Sequence, residues 1–156
     1  MFAPLLFAVD FMNFTYATNP CFGNVPVPAV MRKGEFDYTD RKMGADFFLT
    51  VDSVKRGSLK AGTRQAVVII ECDYPVGGVA SAYLFDERKN VAVRLAEIAR
   101  ADWGGDWGCG PSCIHARFYK DRLYVQQCAD SECTTTAHSV YALRNGKAVR
   151  LAAHPP

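Results

Sequence analysis

The sequence predicts a mostly β fold with little helix: an antiparallel sandwich or strongly curled sheet built from hairpins. Three observations carry that reading. Residues 65–72 (QAVVIIEC) form a continuous β-branched run, the pattern of a central strand buried on both faces. Asn145-Gly146 sits between two alternating runs, and Asn-Gly is the strongest short hairpin signal. Six cysteines occur in 156 residues, and four of them, Cys109, Cys113, Cys128 and Cys133, bracket a further hairpin-like stretch.

Along the chain, residues 1–9 (MFAPLLFAV) are apolar and end at Asp10. Two readings fit: the remnant of a secretory signal, or an added initiator Met followed by a first strand. The second is preferred. Residues 10–16 (DFMNFTY) alternate, with Met12, Phe14 and Tyr16 on one face, and read as a strand. Residues 19–28 are rich in Pro and Gly and read as a loop carrying Cys21. Residues 35–38 and 46–54 are strand candidates, and 57–62 is a turn region before the central strand. Residues 80–85 and 91–95 flank a polar tip, 86–90. Pairing Phe85 with Val91 sets Tyr83 opposite Val93, so that apolar meets apolar. Residues 95–102 read as a strand finishing in a helical turn, and 103–110 (WGGDWGCG) as a Gly-rich loop. The last third holds two hairpins; the second pairs Ala142 with Val149 and Val140 with Leu151. Residues 1–156 read as one disulfide-stapled β domain, with no linker or low-complexity tract.

Composition narrows the function classes. Nearly half the residues are apolar (49%), and the length suits a real core without staples. Net charge is only +2, with both signs interspersed and no Lys/Arg block, which argues against a nucleic-acid partner. No apolar run reaches the length of a membrane span. An even cysteine count fits an oxidising compartment, periplasmic or extracellular.

The cysteine hairpin can be registered from its pattern. With the turn at Lys120-Asp121, Tyr119 faces Arg122, Phe118 faces Leu123, Ala116 faces Val125 and Ile114 faces Gln127. Ile114, Ala116, Phe118, Leu123 and Val125 then share one side. His115, Arg117, Tyr119, Arg122, Tyr124 and Gln126 share the other. A one-residue slip would scatter both sets. The register sets Cys113 across from Cys128, at a separation a disulfide spans. Cys109 and Cys133 lie just beyond the strand ends, and Cys21 and Cys72 remain as a third pair. Two alternatives stay open: local Cys109–Cys113 and Cys128–Cys133 loops, or four sulfurs on zinc. The metal reading is not adopted, because both knuckles are longer than the usual ribbon spacing. No cofactor is expected.

The outer hairpin residues His115, Arg117, Tyr119, Arg122 and Tyr124 are the leading candidate contact strip, since Tyr and Arg are enriched at binding hot spots. The alternative is an ordinary solvated sheet face. Trp103 and Trp107 are candidate platforms for a sugar or a partner loop, against the alternative of packing over a sheet end. His138 reads as a core or edge histidine beside Val140 and Ala142, and His154 lies near the C-terminus. The chain carries no GxSxG, HExxH, P-loop or GxGxxG pattern, and Asp40, Asp46 and Asp52 make no defensible acid/base set. His115 could pair with a Cys113 thiol, but Cys128 is the better partner for that sulfur.

A resemblance enters at Gly57. GSLKAG (57–62), followed by QAVVIIEC (65–72) and Gly77-Gly78, resembles a G-x-L-x-x-G-x-x-x-A-V-V segment of uncharacterised bacterial exported proteins, some of them lipoprotein-like. The likeness spans 14–151 loosely and implies export. Propeller-type repeats often hold calcium in an Asp-rich loop before such a strand. Here that loop has no carboxylate, so no calcium site is carried over. The expectation is an exported non-enzymatic binding protein whose partner is a protein or an envelope glycan. An inhibitor of an envelope-acting hydrolase or protease fits. The alternatives are a small hydrolase or thiol redox enzyme, and a structural envelope domain.

Overall fold

A six-stranded antiparallel sheet in the order β3-β4-β5-β6-β7-β8 forms the middle layer. Its strands are β3 (Glu35–Asp40), β4 (Ala45–Gly57), β5 (Arg64–Tyr74), β6 (Gly77–Arg88), β7 (Val91–Gly104) and β8 (Trp107–Gly108). The computed structural model describes residues 8–21, 25, 28–104, 107–110, 113–130 and 132–151, with Trp107 described by its backbone alone. Residues 1–7 and His154, read above as a signal remnant or first strand and as a tail residue, lie outside that set. Strand makes up 67% of the structure and helix 3%, as expected for a mostly β chain.

The central strands are buried on both faces, which is why 65–72 lacks alternation in sequence. Ala66, Val68, Ile70 and Cys72 of β5 enter one apolar cluster with Tyr83 and Phe85 of β6. Val67 and Ile69 enter the other with Ala80, Ala82 and Leu84. The N-terminal segment covers the first face: a 3-10 turn (Phe11–Asn13) and a two-stranded sheet of β1 (Thr15–Tyr16) and β2 (Ala29–Val30). The second face is covered by a four-stranded sheet in the order β12-β11-β10-β9. Its strands are β9 (His115–Tyr119), β10 (Arg122–Cys128), β11 (Thr136–Arg144) and β12 (Lys147–Leu151). Close approach of the layers needs Gly57, because a Cβ there would overlap the Phe118 ring of β9.

Four expectations are corrected. Residues 10–16 are not one strand. The Asp10 carboxylate accepts from Met12 N at 3.1 Å and Asn13 Nδ2 at 2.7 Å, and this cap winds Phe11–Asn13 into a 3-10 turn. Phe11 then points inward and Met12 outward. The 85/91 register is also replaced. Lys89 and Asn90 both have positive φ, a two-residue hairpin turn, so Arg88 pairs with Val91 and Phe85 with Arg94. A register shift between Leu84 and Phe85 brings Tyr83 opposite Glu97, and a second, between Ala82 and Tyr83, sets Ala82 opposite Ala99. Val91 and Val93 are 60% and 49% exposed, so matching apolar to apolar misplaced them. Residues 95–102 contain no helical turn; β7 runs unbroken from Val91 to Gly104, with two register shifts against β6. Residues 103–110 are not all loop, since Trp103 pairs with Gly108 and Gly104 with Trp107.

The cysteines pair as Cys21–Cys72, Cys109–Cys133 and Cys113–Cys128, with Cα separations of 5.9, 5.8 and 5.5 Å. The first ties the N-terminal cover to the C-terminal end of β5. At the other end of the β5–β6 ladder, buried Glu87 accepts from Val9 N at 3.0 Å and meets Arg56 and Arg64 at 3.3 and 3.2 Å. No helix among the described residues is long and apolar enough to cross a membrane.

Candidate binding surface

The β9–β10 hairpin turns at Lys120-Asp121, both with positive φ, and its ladder pairs Tyr119 with Arg122 through His115 with Gln126. Ala116, Leu123 and Val125 are buried against β7 and β5, as the alternation requires. His115, Arg117, Tyr119 and Tyr124 therefore face solvent, with Arg122 and Gln126 half-buried beside them. Tyr119 is 52% and Tyr124 38% exposed. Arg117 lies between these two rings, its guanidinium carbon 5.7 Å from each centroid, and Lys120 stands 5.2 Å from Tyr119. Cation–π contacts of this kind hold flexible cations in place on a surface. At about 0.5–1 kcal/mol each at exposed sites, these contacts bias the strip toward one arrangement.

His138 is corrected. The β10–β11 ladder pairs Gln126 with His138, which places the imidazole on the outer face rather than among core residues. It is exposed, with Thr136 Oγ1 3.2 Å from Nε2. His115, Gln126 and His138 make one row across three strands. An open groove of about 850 Å³ runs along this region to Lys55 and Arg56 of β4, and Lys55 Nζ donates to the Ala116 carbonyl at 3.3 Å. Its described lining carries Lys55, Arg56, Arg117, His115 and His138 and no carboxylate. Arg56 is already paired with Glu87, so Lys55 and Arg117 are the cations this lining offers to an anionic segment of a partner.

Trp103 lies elsewhere, half-buried at the sheet end. It packs against the second core cluster and over Gly78, where a Cβ would overlap the indole. The Trp107 side chain lies outside the described residues.

One constellation escaped the sequence reading. Glu71 and Asp73, two apart on β5, project to the face that carries Val67 and Ile69. Burial, then the charges of Asp73 and Asp52 and a hydrogen bond with Asp73, push the Glu71 pKa up to about 7. Burial also raises that of Asp73. The only hint in sequence was a Glu-x-Asp spacing inside an apolar strand, and Asp52 joins it only through the β4–β5 pairing of Thr50 with Glu71.

At the far end of the hairpin, the sulfurs of Cys109, Cys113, Cys128 and Cys133 all lie within 4.8 Å of one another. The loop carrying Cys133 is organised by Asp130. Its Oδ1 accepts from Glu132 N and Thr134 N at 2.9 and 3.0 Å. Its Oδ2 accepts from Thr135 N at 2.7 Å, from Thr134 Oγ1 at 3.1 Å and from Thr135 Oγ1. These donors, the Thr135 hydroxyl foremost, hold the Asp130 carboxyl well below the usual carboxylate range.

Comparison with protein-family models, curated proteins and solved structures finds no match to this chain.

Proposed function

We propose that the protein is a periplasmic or secreted, non-enzymatic binding protein that engages its partner through the outer face of the β9–β10 hairpin. The observation that carries this reading is the exposed Tyr119–Arg117–Tyr124 stack on a strand pair whose other side is core. Rigid aromatic and Arg anchors of this type give contact area at low ordering cost. The cationic groove beside the stack favours an acidic protein segment as partner, and an inhibitor of an envelope-acting hydrolase or protease fits that surface. Three disulfide pairs support an oxidising compartment. The resemblance of 57–78 to bacterial exported proteins points the same way.

The test is capture of a partner from envelope extracts by the wild-type chain and by Arg117→Ala and Tyr124→Ala variants. Both residues are exposed, so stability should change by no more than about 0.5 kcal/mol. Partner binding should weaken by about 2 kcal/mol or more, as for truncated hot spots. A partner that binds both variants as well as wild type would sink the proposal.

A second reading, a small hydrolase, is favoured by one observation: Glu71 titrates near neutral pH beside a second carboxyl, the condition for general acid–base work. Hydrolysis of any envelope polymer that Glu71→Gln abolishes, with melting unchanged, would replace the binder reading.

A further inference from the structure

The two C-terminal disulfides differ from the Cys21–Cys72 bridge in a way their pairing does not require. Cys21 and Cys72 are 2% and 0% exposed and sit alone in the first core. The other four sulfurs are gathered into one knot, with Cys113 Sγ 4.0 Å from Cys133 Sγ across the two bridges. Sulfurs around a tetrahedral Zn²⁺, at about 2.3 Å from the metal, stand about 3.8 Å apart. The four sulfurs lie within 4.8 Å of one another, and reaching the tetrathiolate spacing needs the two sulfurs of each bridge to part on reduction.

The elements that carry these sulfurs are also held by other bonds. Cys113 and Cys128 flank the β9–β10 ladder, and Cys128 is itself paired with Thr136 of β11. Cys109 follows Gly108, which is paired with Trp103. The Cys133 loop is closed by the five donors on Asp130 and by Cys133 N donating to the Asp130 carbonyl at 3.3 Å. Cutting both bridges leaves the four sulfurs on supports that need no disulfide. Access differs as well: Cys133 is exposed, Cys109 and Cys128 are half-buried and only Cys113 of the four is buried, whereas Cys21 and Cys72 are both buried.

We propose that Cys109, Cys113, Cys128 and Cys133 form a redox-gated metal site, two disulfides when oxidised and a tetrathiolate for a soft divalent cation such as Zn²⁺ when reduced. A dithiol reductant supplies two electrons and two protons to each bridge and becomes a disulfide itself. The metal then displaces the four thiol protons, leaving a closed four-coordinate centre. Cys21–Cys72 stays oxidised and holds the rest of the fold.

The experiment uses the full chain, treated with a phosphine reductant without denaturant and titrated anaerobically with Co²⁺. The expected result is equimolar binding with the visible absorption of a tetrahedral cobalt thiolate, displaced by Zn²⁺, while alkylation mapping leaves Cys21 and Cys72 unmodified. Outer-shell changes alone cost about 10–100-fold in metal affinity. Loss of a direct ligand in Cys133→Ser should therefore weaken binding by at least about 100-fold. The Cys21→Ala/Cys72→Ala variant should keep it. Zn²⁺ should also raise the melting temperature of the reduced wild-type chain, a readout that does not depend on how any variant folds. No equimolar cobalt, equal affinity in Cys133→Ser, or no zinc-dependent rise in melting would each overturn the proposal.

Discussion

The two faces of the central sheet are covered by opposite means. On one face the described part of the cover is a 3-10 turn and two strands of two residues each. Among the described residues its ladder has only two pairs, so side chains carry much of its attachment. Phe11, Phe14 and Tyr16 pack on one another and on Phe85, with centroids 4.9 to 6.1 Å apart. A bridge spanning 51 residues and the buried Glu87 network pin the segment to the sheet. On the other face the cover is a meander of hairpins with complete ladders, and its bridges span only 24 and 15 residues. A cover that pairs with itself needs short staples at its end. A cover that does not must be tied to the sheet across a long loop.

The largest expected effect comes from cutting that tie. In the chain-entropy account a bridge spanning 51 residues is worth about 4 kcal/mol and one spanning 15 about 3 kcal/mol. Cys21→Ala/Cys72→Ala should therefore lower the unfolding free energy in denaturant by about 1 kcal/mol more than Cys113→Ala/Cys128→Ala. Amide exchange should locate the loss in residues 8–31. Equal losses, or a larger one for the hairpin pair, would break the comparison.

Next comes a truncation under the hairpin cover. Leu123 is fully buried, and Leu→Ala at such sites costs about 2–5 kcal/mol. A value near the middle, about 3 kcal/mol, is expected for Leu123→Ala. Exchange should quicken in β9 to β12 while 8–31 stays protected. If both variants speed exchange everywhere alike, the two covers are one cooperative unit rather than two.

The smallest effect is a pH slope. Glu71 has a folded pKa near 7, above its ordinary 4.5. Below about 4.5 the carboxyl is protonated in both states. Between there and about 7 the unfolded chain ionises first, so stability falls as pH rises and then levels off. Melting temperature should therefore drop from pH 5 toward pH 8 in wild type, and less steeply in Glu71→Gln. Identical slopes would remove Glu71 as the cause. The side chain is only partly buried, so solvent screening keeps the effect modest.

What the sequence determined by itself is what neighbouring residues decide. The Lys120-Asp121 and Asn145-Gly146 turns set their ladders, because a two-residue loop and period-two alternation leave one workable register. That register brings Cys113 to Cys128 and turns His115, Arg117, Tyr119 and Tyr124 outward. The β-branched run of β5 announced burial on both faces. Only the tertiary structure decided the rest, where a residue's setting depends on a distant strand. Val91 and Val93 are exposed among the described residues, which alternation alone does not reveal. His138 faces outward because β11 pairs with β10 at Gln126, a contact outside its own hairpin. Glu71, Asp73 and Asp52 meet only when β4 and β5 are laid side by side, and the four-sulfur knot exists only once β8, the β9–β10 hairpin and the Asp130 loop converge. Local rules fix a strand's partner in its own hairpin, but burial and electrostatics are set by what packs against it.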